Sequence, residues 1–226
     1  GSPLIFYAAK IKELHGSSAP VFVRAIGAEG LGPVHSGVLH SIFMHFPGFR
    51  VCSPMTSSEY EQAWAEFMAN DDPMIVSEHR SSYSNLAELN DVIVENADIT
   101  LYAISSTRFE VEKAAELLLA SGFRCNIVHI WKLKPFELTP RLLDPLRASA
   151  AGMVIDPGHE TAGAAESIAY RLGYATGYSV KALGIEDRTK CLTPSLQNRS
   201  PDAKKIFEAA KDHMVESGRL PYYGAG

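Results

Sequence analysis

One histidine stands at the end of a glycine-rich turn: in GAEGLGPVHS, His35 follows Gly27, Gly30 and Gly32 and leads into an apolar run with helical spacing. An imidazole placed there can face a ligand. By residue type alone, a loop or capping role outweighs chemistry. His40 and His45 follow at five-residue steps, which invites a metal reading. Such a step turns about 140° around a helix, so three side chains spaced this way cannot converge from one face, and zinc is not expected. His40 and His45 read instead as an exposed and a boundary residue of an amphipathic helix. Ser36 stands where an N-cap would satisfy the first free amides of that helix.

The remaining candidates carry less. GAEGLGP has glycines suited to close backbone approach, but neither the Lys-Ser/Thr of a phosphate loop nor a GxGxxG pattern. DPGHETAGAAE follows a strand and opens a small-residue helix, where an anion could sit. Close helix-to-sheet packing explains the same alanines and glycine and is the preferred reading, with His159 and Glu160 as interface residues. In Glu78-His79-Arg80, neighbours on a strand point to opposite faces, so a salt-bridged or interface role is expected rather than joint acid–base work. Arg188 and Lys190 in DRTK read as a solvated turn. The three cysteines, Cys52, Cys125 and Cys191, are odd in number and widely spaced, and two lie in strand-like runs. They read as free thiols of a reducing compartment.

The elements that would position these residues alternate. Spacing predicts a helix over PLIFYAAKIKELHG, a strand in APVFVRAI, a helix over HSGVLHSIFMHFPG, a strand FRVCSP, a helix SSEYEQAWAEFMAND and a strand PMIVSEH. SSYSNLAELNDVIVENAD has no convincing period and reads as a linker. Strand and helix then alternate again through ITLYAIS, TRFEVEKAAELLLASG, CNIVHIW, TPRLLDPLRAS, GMVIDPG, TAGAAESIAYRLG, SVKALGIE and SPDAKKIFEAAKDHMVES. Alternation of this kind predicts an α/β fold with mostly parallel sheets. The expected organisation is a first domain at 1–80, a linker at 81–98, a second domain at 99–217 and an exposed tail at 218–226. The first domain has few strands for an open sheet and reads as the second half of a larger domain. Its unpaired edge and uncovered apolar face call for an oligomer.

The chain has 226 residues, 46% of them apolar and 21% charged, with a net charge of −5, which suits a globular protein and argues against a nucleic-acid surface. No apolar run approaches the roughly 20 residues of a membrane helix, and the start lacks the build of a signal peptide. The expectation is a soluble protein of a bacterial cytoplasm or a mitochondrial matrix.

Three landmarks carry a resemblance: Gly32-Pro33-x-His35-Ser36; Pro47-Gly48 followed by a strand and Ser53-Pro54; and Asp72-Pro73 leading to Glu78-His79-Arg80 and Tyr83. Together they resemble the second half of the pyrimidine-binding domain of transketolase-like thiamine enzymes, specifically the beta subunit of 2-oxo acid dehydrogenases. The second domain resembles the transketolase C-terminal domain by element order. The resemblance implies thiamine diphosphate with Mg2+, an alpha-type partner carrying the diphosphate-binding domain, and a lipoyl acyltransferase component. It places His35 by the substrate carbonyl as the catalytic residue, with Gly30, Gly32 and Ser36 lining the cofactor. It also places a potassium ion on backbone oxygens of the FMANDDP turn, at Phe67, Met68, Asn70 and Asp72. The family's aminopyrimidine-binding glutamate would lie upstream of Gly1, and no Gly-Asp-Gly motif occurs in the sequence, so these residues alone are expected to be inactive. A split transketolase or deoxyxylulose-phosphate synthase is the second enzyme reading; a non-catalytic assembly module is the reading of another class.

Overall fold

A computed structural model describes residues 3–191, 193 and 196–218. The tail read at 218–226 lies outside them beyond Gly218. The strands are β1 (Phe22–Gly27), β2 (Arg50–Cys52), β3 (Met74–His79), β4 (Ile99–Ile104), β5 (Cys125–Ile130), β6 (Lys132–Lys134), β7 (Ala151–His159) and β8 (Ser179–Ile185). The α-helices are α1 (Ile11–His15), α2 (Gly32–His35), α3 (His40–His45), α4 (Ser57–Met68), α5 (Thr107–Ala120), α6 (Pro140–Ser149), α7 (Ala164–Thr176) and α8 (Ala203–Glu216).

The chain divides into two compact units that interleave in sequence: residues 1–89, 130–136 and 188–198 form one, and 90–129, 137–187 and 199–226 the other. In the first, the sheet order is β1-β3-β2-β6. β3 runs parallel to both β1 and β2, and β6 closes the edge antiparallel to β2. Phe22 pairs with Met74 and Gly27 with His79, so β1 and β3 end together. Cys52, Ala63, Met74 and Val76 form its core, packed by Phe22, Tyr60, Phe67 and Trp131.

In the second unit the order is β5-β4-β7-β8, with β7 parallel to β4 and β8. β4 and β5 are buried along their whole length, which their nearly continuous apolar runs require of strands covered on both faces. Ile99, Leu101, Met153 and Ile155 of the sheet pack with Val111 and Leu118 of α5 and Ile206 and Met214 of α8.

Three expectations about elements change. The first helix is two pieces, a π-helical turn at Leu4–Ala8 and α1. The helix expected over 35–48 forms only over His40–His45, as α3; α2 ends at His35, and extended Ser36 and Gly37 at φ 125° lie between the two. A single α-helix cannot pass through that backbone conformation. Part of the segment read as a linker is hydrogen-bonded: Val92 pairs with Ile127, and Asp91 accepts from the His129 amide and from Arg141. Among the described residues no helix is long and apolar enough to cross a membrane.

Candidate functional site

Because β1 and β3 are parallel and in register, the loops that leave their carboxyl ends start side by side, where open α/β sheets present ligand-binding residues. The loop after β1 carries Glu29, Gly30, Gly32 and, in α2, His35. Gly30 and Gly32 both adopt φ 75°, a left-handed conformation that a side chain would strain, and a Cβ at Gly30 would meet open space. Backbone conformation, not close packing, sets that glycine. His35 is exposed. Ser36 does not cap the following helix: it is extended at the end of α2, and its hydroxyl accepts the Leu31 amide at 2.7 Å, closing the loop on itself. Gly37 donates to the Ala28 carbonyl at 3.0 Å, tying both loop ends together.

Beneath the end of β3 lies a polar cluster. Glu78 is 1% exposed, and its carboxylate accepts from Arg24 Nε at 2.5 Å, from Arg24 Nη2 at 2.8 Å and from the Tyr83 hydroxyl at 2.7 Å. Burial alone would raise its pKa, but the Arg24 and Tyr83 hydrogen bonds win and hold it below the ordinary carboxylate value. His79, also buried, accepts the Ser81 amide at Nδ1, so its neutral ring carries the proton on Nε2. That Nε2 is buried without a hydrogen-bond partner among the described residues. Burial lowers the His79 pKa; Glu29 opposes the shift and Lys190 reinforces it.

Sequence reasoning missed several of these placements. Lys190, read as solvated, is 8% exposed at its side chain, and its Nζ donates to both Glu29 oxygens at 3.0 Å. No spacing rule could find a partner 161 residues away. Arg188 donates to the Leu196 carbonyl at 3.1 Å. His40, expected to be exposed or at a boundary, is buried, with Nδ1 3.3 Å from the Ser77 hydroxyl; His45 is exposed. At the start of α7, Glu166 accepts the Ala162 amide at 2.6 Å, so the helix supplies its own anion. His159 Nδ1 lies 3.1 Å from the Glu186 carbonyl, and Glu160 accepts the Gly184 amide. None of the three cysteines is in a disulfide; burial raises Cys52 to about 12 and Cys125 to about 11, which keeps both as thiols at neutral pH.

In the FMANDDP turn the Phe67 carbonyl already accepts the Asn70 amide at 3.2 Å. The side chains of Asn70 and Asp72 accept from Arg50, and Asp72 also from Lys12 at 2.8 Å. The side chains of Asn70 and Asp72 are therefore matched to protein cations, which leaves the backbone oxygens of Phe67, Met68, Asn70 and Asp72 as the ligands a potassium ion would need there.

The same residues bear on a thiamine cofactor in two different ways. His35 offers an exposed imidazole on a glycine-shaped loop at the carboxyl end of parallel strands, a placement open to a ligand. No group of three or more His, Cys, Asp or Glu able to hold a metal occurs among the described residues.

Residues 4–85 match the family described as the transketolase pyrimidine-binding domain. The chain is 24% identical over 228 aligned positions to acetoin:2,6-dichlorophenolindophenol oxidoreductase subunit beta of Cupriavidus necator, an alignment covering 92% of this chain and 67% of that protein. It is 30% identical to pyruvate dehydrogenase E1 component subunit beta of Chaetosphaeridium globosum, across 53% of this chain and 40% of the relative. The pyruvate dehydrogenase match thus spans well under half of that relative's length. In structure, the chain resembles a split-gene transketolase in the form of an inactive beta4 tetramer, with TM-score 0.74 at 16% identity over 96% of this chain and 71% of that one. It also resembles a transketolase from Pichia stipitis, with TM-score 0.62 at 16% identity over 90% of this chain and 31% of that one. The fold is transketolase-like α/β, a pyrimidine-binding domain joined to a C-terminal-like domain.

Proposed function

We propose that this chain, whose residues 4–85 carry the pyrimidine-binding domain of the transketolase family, is the beta-type subunit of a thiamine-diphosphate-dependent 2-oxo acid dehydrogenase. The observation that carries this reading is His35, exposed on a self-closed loop at the carboxyl end of β1 and inside the matched segment. An alpha-type partner would hold the diphosphate and Mg2+, and a lipoyl acyltransferase component would accept the acyl group. Bound thiamine diphosphate would supply the acidic carbon that adds to a 2-oxo group and the electron sink for loss of CO2. His35 would hold or deliver a proton at the substrate oxygen, Gly30 and Gly32 would shape the loop, and Ser36 would fix it through the Leu31 amide. A potassium ion at Phe67, Met68, Asn70 and Asp72 is a secondary element of the proposal.

β1 is a terminal strand of its sheet, and Ile26 on it is 55% exposed, which supports an oligomer or a covering partner. Organellar and bacterial relatives support a bacterial cytoplasm or an organelle matrix such as that of mitochondria. The structural likeness to a split-gene transketolase favours one second reading, a split transketolase acting on ketol sugars. That neighbour's inactive beta4 form also supports inactivity of these residues alone and leaves an assembly role as the reading of another class.

The test is calorimetric titration of thiamine diphosphate and Mg2+ into the chain alone and into its mixture with an alpha-type subunit, followed by turnover of 2-oxo acids and ketol sugars. Binding only in the mixture is expected, with 2-oxo acid turnover that His35→Ala lowers by about 100-fold or more at nearly unchanged cofactor affinity. Decarboxylation by the isolated chain, or full activity in His35→Ala, would overturn it.

A further inference from the structure

The loop carrying His35 is closed on itself by Ser36–Leu31 and Gly37–Ala28, but such bonds fix its shape and not its place. With two left-handed glycines, the loop has high conformational entropy to lose. Its acidic residue, Glu29, meets Lys190 from the far end of the chain, with both carboxylate oxygens 3.0 Å from Nζ. Lys190 lies in the segment 188–198, which belongs to the same compact unit and is itself closed by Asn198 donating to the Arg188 carbonyl at 2.6 Å. At 8% exposure the ammonium has surrendered most of its water, so the carboxylate is what makes its burial tolerable. His79, at the end of β3 in register with Gly27, feels both charges.

We infer that Lys190 is a positioning residue: through its ion pair with Glu29 it clamps the 28–36 loop and so fixes where His35 stands. The catalytic consequence rests on the function proposed above; the clamp itself does not. Lys190 need not touch substrate, and its loss acts through the loop.

Hydrogen exchange of the full chain separates the two claims, because it needs no cofactor and no activity. In Lys190→Met the amides of 28–36 are expected to exchange about tenfold faster or more, while β4 and β7 keep their protection. The charge-exchanged double variant Glu29→Lys with Lys190→Glu is expected to restore slow exchange, which a role in packing alone would not. If Lys190→Met does not fold, Glu29→Gln, nearly isosteric, gives the same reading. In the complex with an alpha-type subunit, Lys190→Met lowers kcat by about tenfold with KM for the 2-oxo acid changed less than about twofold, the split expected of a displaced proton-handling group. Unchanged exchange in both single variants, or no recovery in the double variant, overturns the clamp. Loosened exchange in a wild-type complex that never turns over leaves the clamp standing and removes the dehydrogenase reading.

Discussion

His129 shows how far a single buried ring can couple folding to pH. It is 1% exposed in β5, and a hydrogen bond with the Asn90 backbone opposes the effect of burial only in part. Burial, reinforced by the positive charges of Arg108 and Arg141, holds its pKa near 3. The Glu112 carboxylate 4.0 Å from Nε2 therefore faces a neutral ring, and no ion pair forms between them at neutral pH. Once unfolded, the ring returns to its ordinary value near 6.5. Unfolding between these values takes up a proton, so the stability contributed by the neutral form is complete above about pH 6.5. It falls by about 1.4 kcal/mol per pH unit as the pH drops toward 3. Urea unfolding of the full chain between pH 7 and 4 tests this: His129→Leu is expected to lower the acid slope by about one proton, and an identical slope in the variant would sink the assignment. The exposed loop position of His35 was legible in the sequence because a glycine turn and its flanking motif surround it within ten residues. His129, His79 and Lys190 were not, because their states are set by neighbours that only folding brings near.

Helix α4 and the broken pair α2 and α3 explain which elements a linear pattern can resolve. The Thr56 hydroxyl accepts the Glu59 amide, while the Glu59 carboxylate reaches back to the Met55 amide at 2.8 Å. This reciprocal cap is written in Thr-x-x-Glu, and the apolar period continues cleanly behind it. Thr56→Ala is expected to destabilise the first unit by about 1 kcal/mol, whereas Thr56→Ser retains most of that, as read by denaturant unfolding. An Ala variant as stable as wild type would show that Glu59 alone holds the helix start. HSGVLHSIFMH carries an equally good apolar spacing, yet it is not one helix. There the Gly37 amide is drawn to Ala28, a contact across the loop that outweighs local propensity. β6 escaped notice for a related reason: three residues reading Lys-Leu-Lys have no strand signal until Val51 and Cys52 offer an edge.

At the scale of the whole chain, sequence order and spatial order part company. A boundary in 81–98 is the natural reading of a polar stretch between two alternating patterns, and most strands and helices on either side were legible. Residues 130–136 and 188–198 nevertheless group with the first unit, and what they supply is specific. β6 pairs with β2, the Ser53 amide donates to the Trp131 carbonyl at 2.7 Å, and the Lys134 ammonium donates to the carbonyls of Met44 and Phe46 at the end of α3. Lys190 neutralises Glu29. A fragment of residues 1–98 keeps the matched pyrimidine-domain segment but loses every one of these partners. β2 would then be an open edge of three residues, the last turn of α3 would lack its cation, and Glu29 would lie beside His79 without Lys190. The fragment is therefore expected to show weak dispersion in amide NMR spectra, loss of exchange protection at Val51 and Cys52, and self-association at the exposed edge. A fragment with well-dispersed signals and β2 as protected as in the full chain would make the returning segments dispensable, and with them the clamp on the His35 loop.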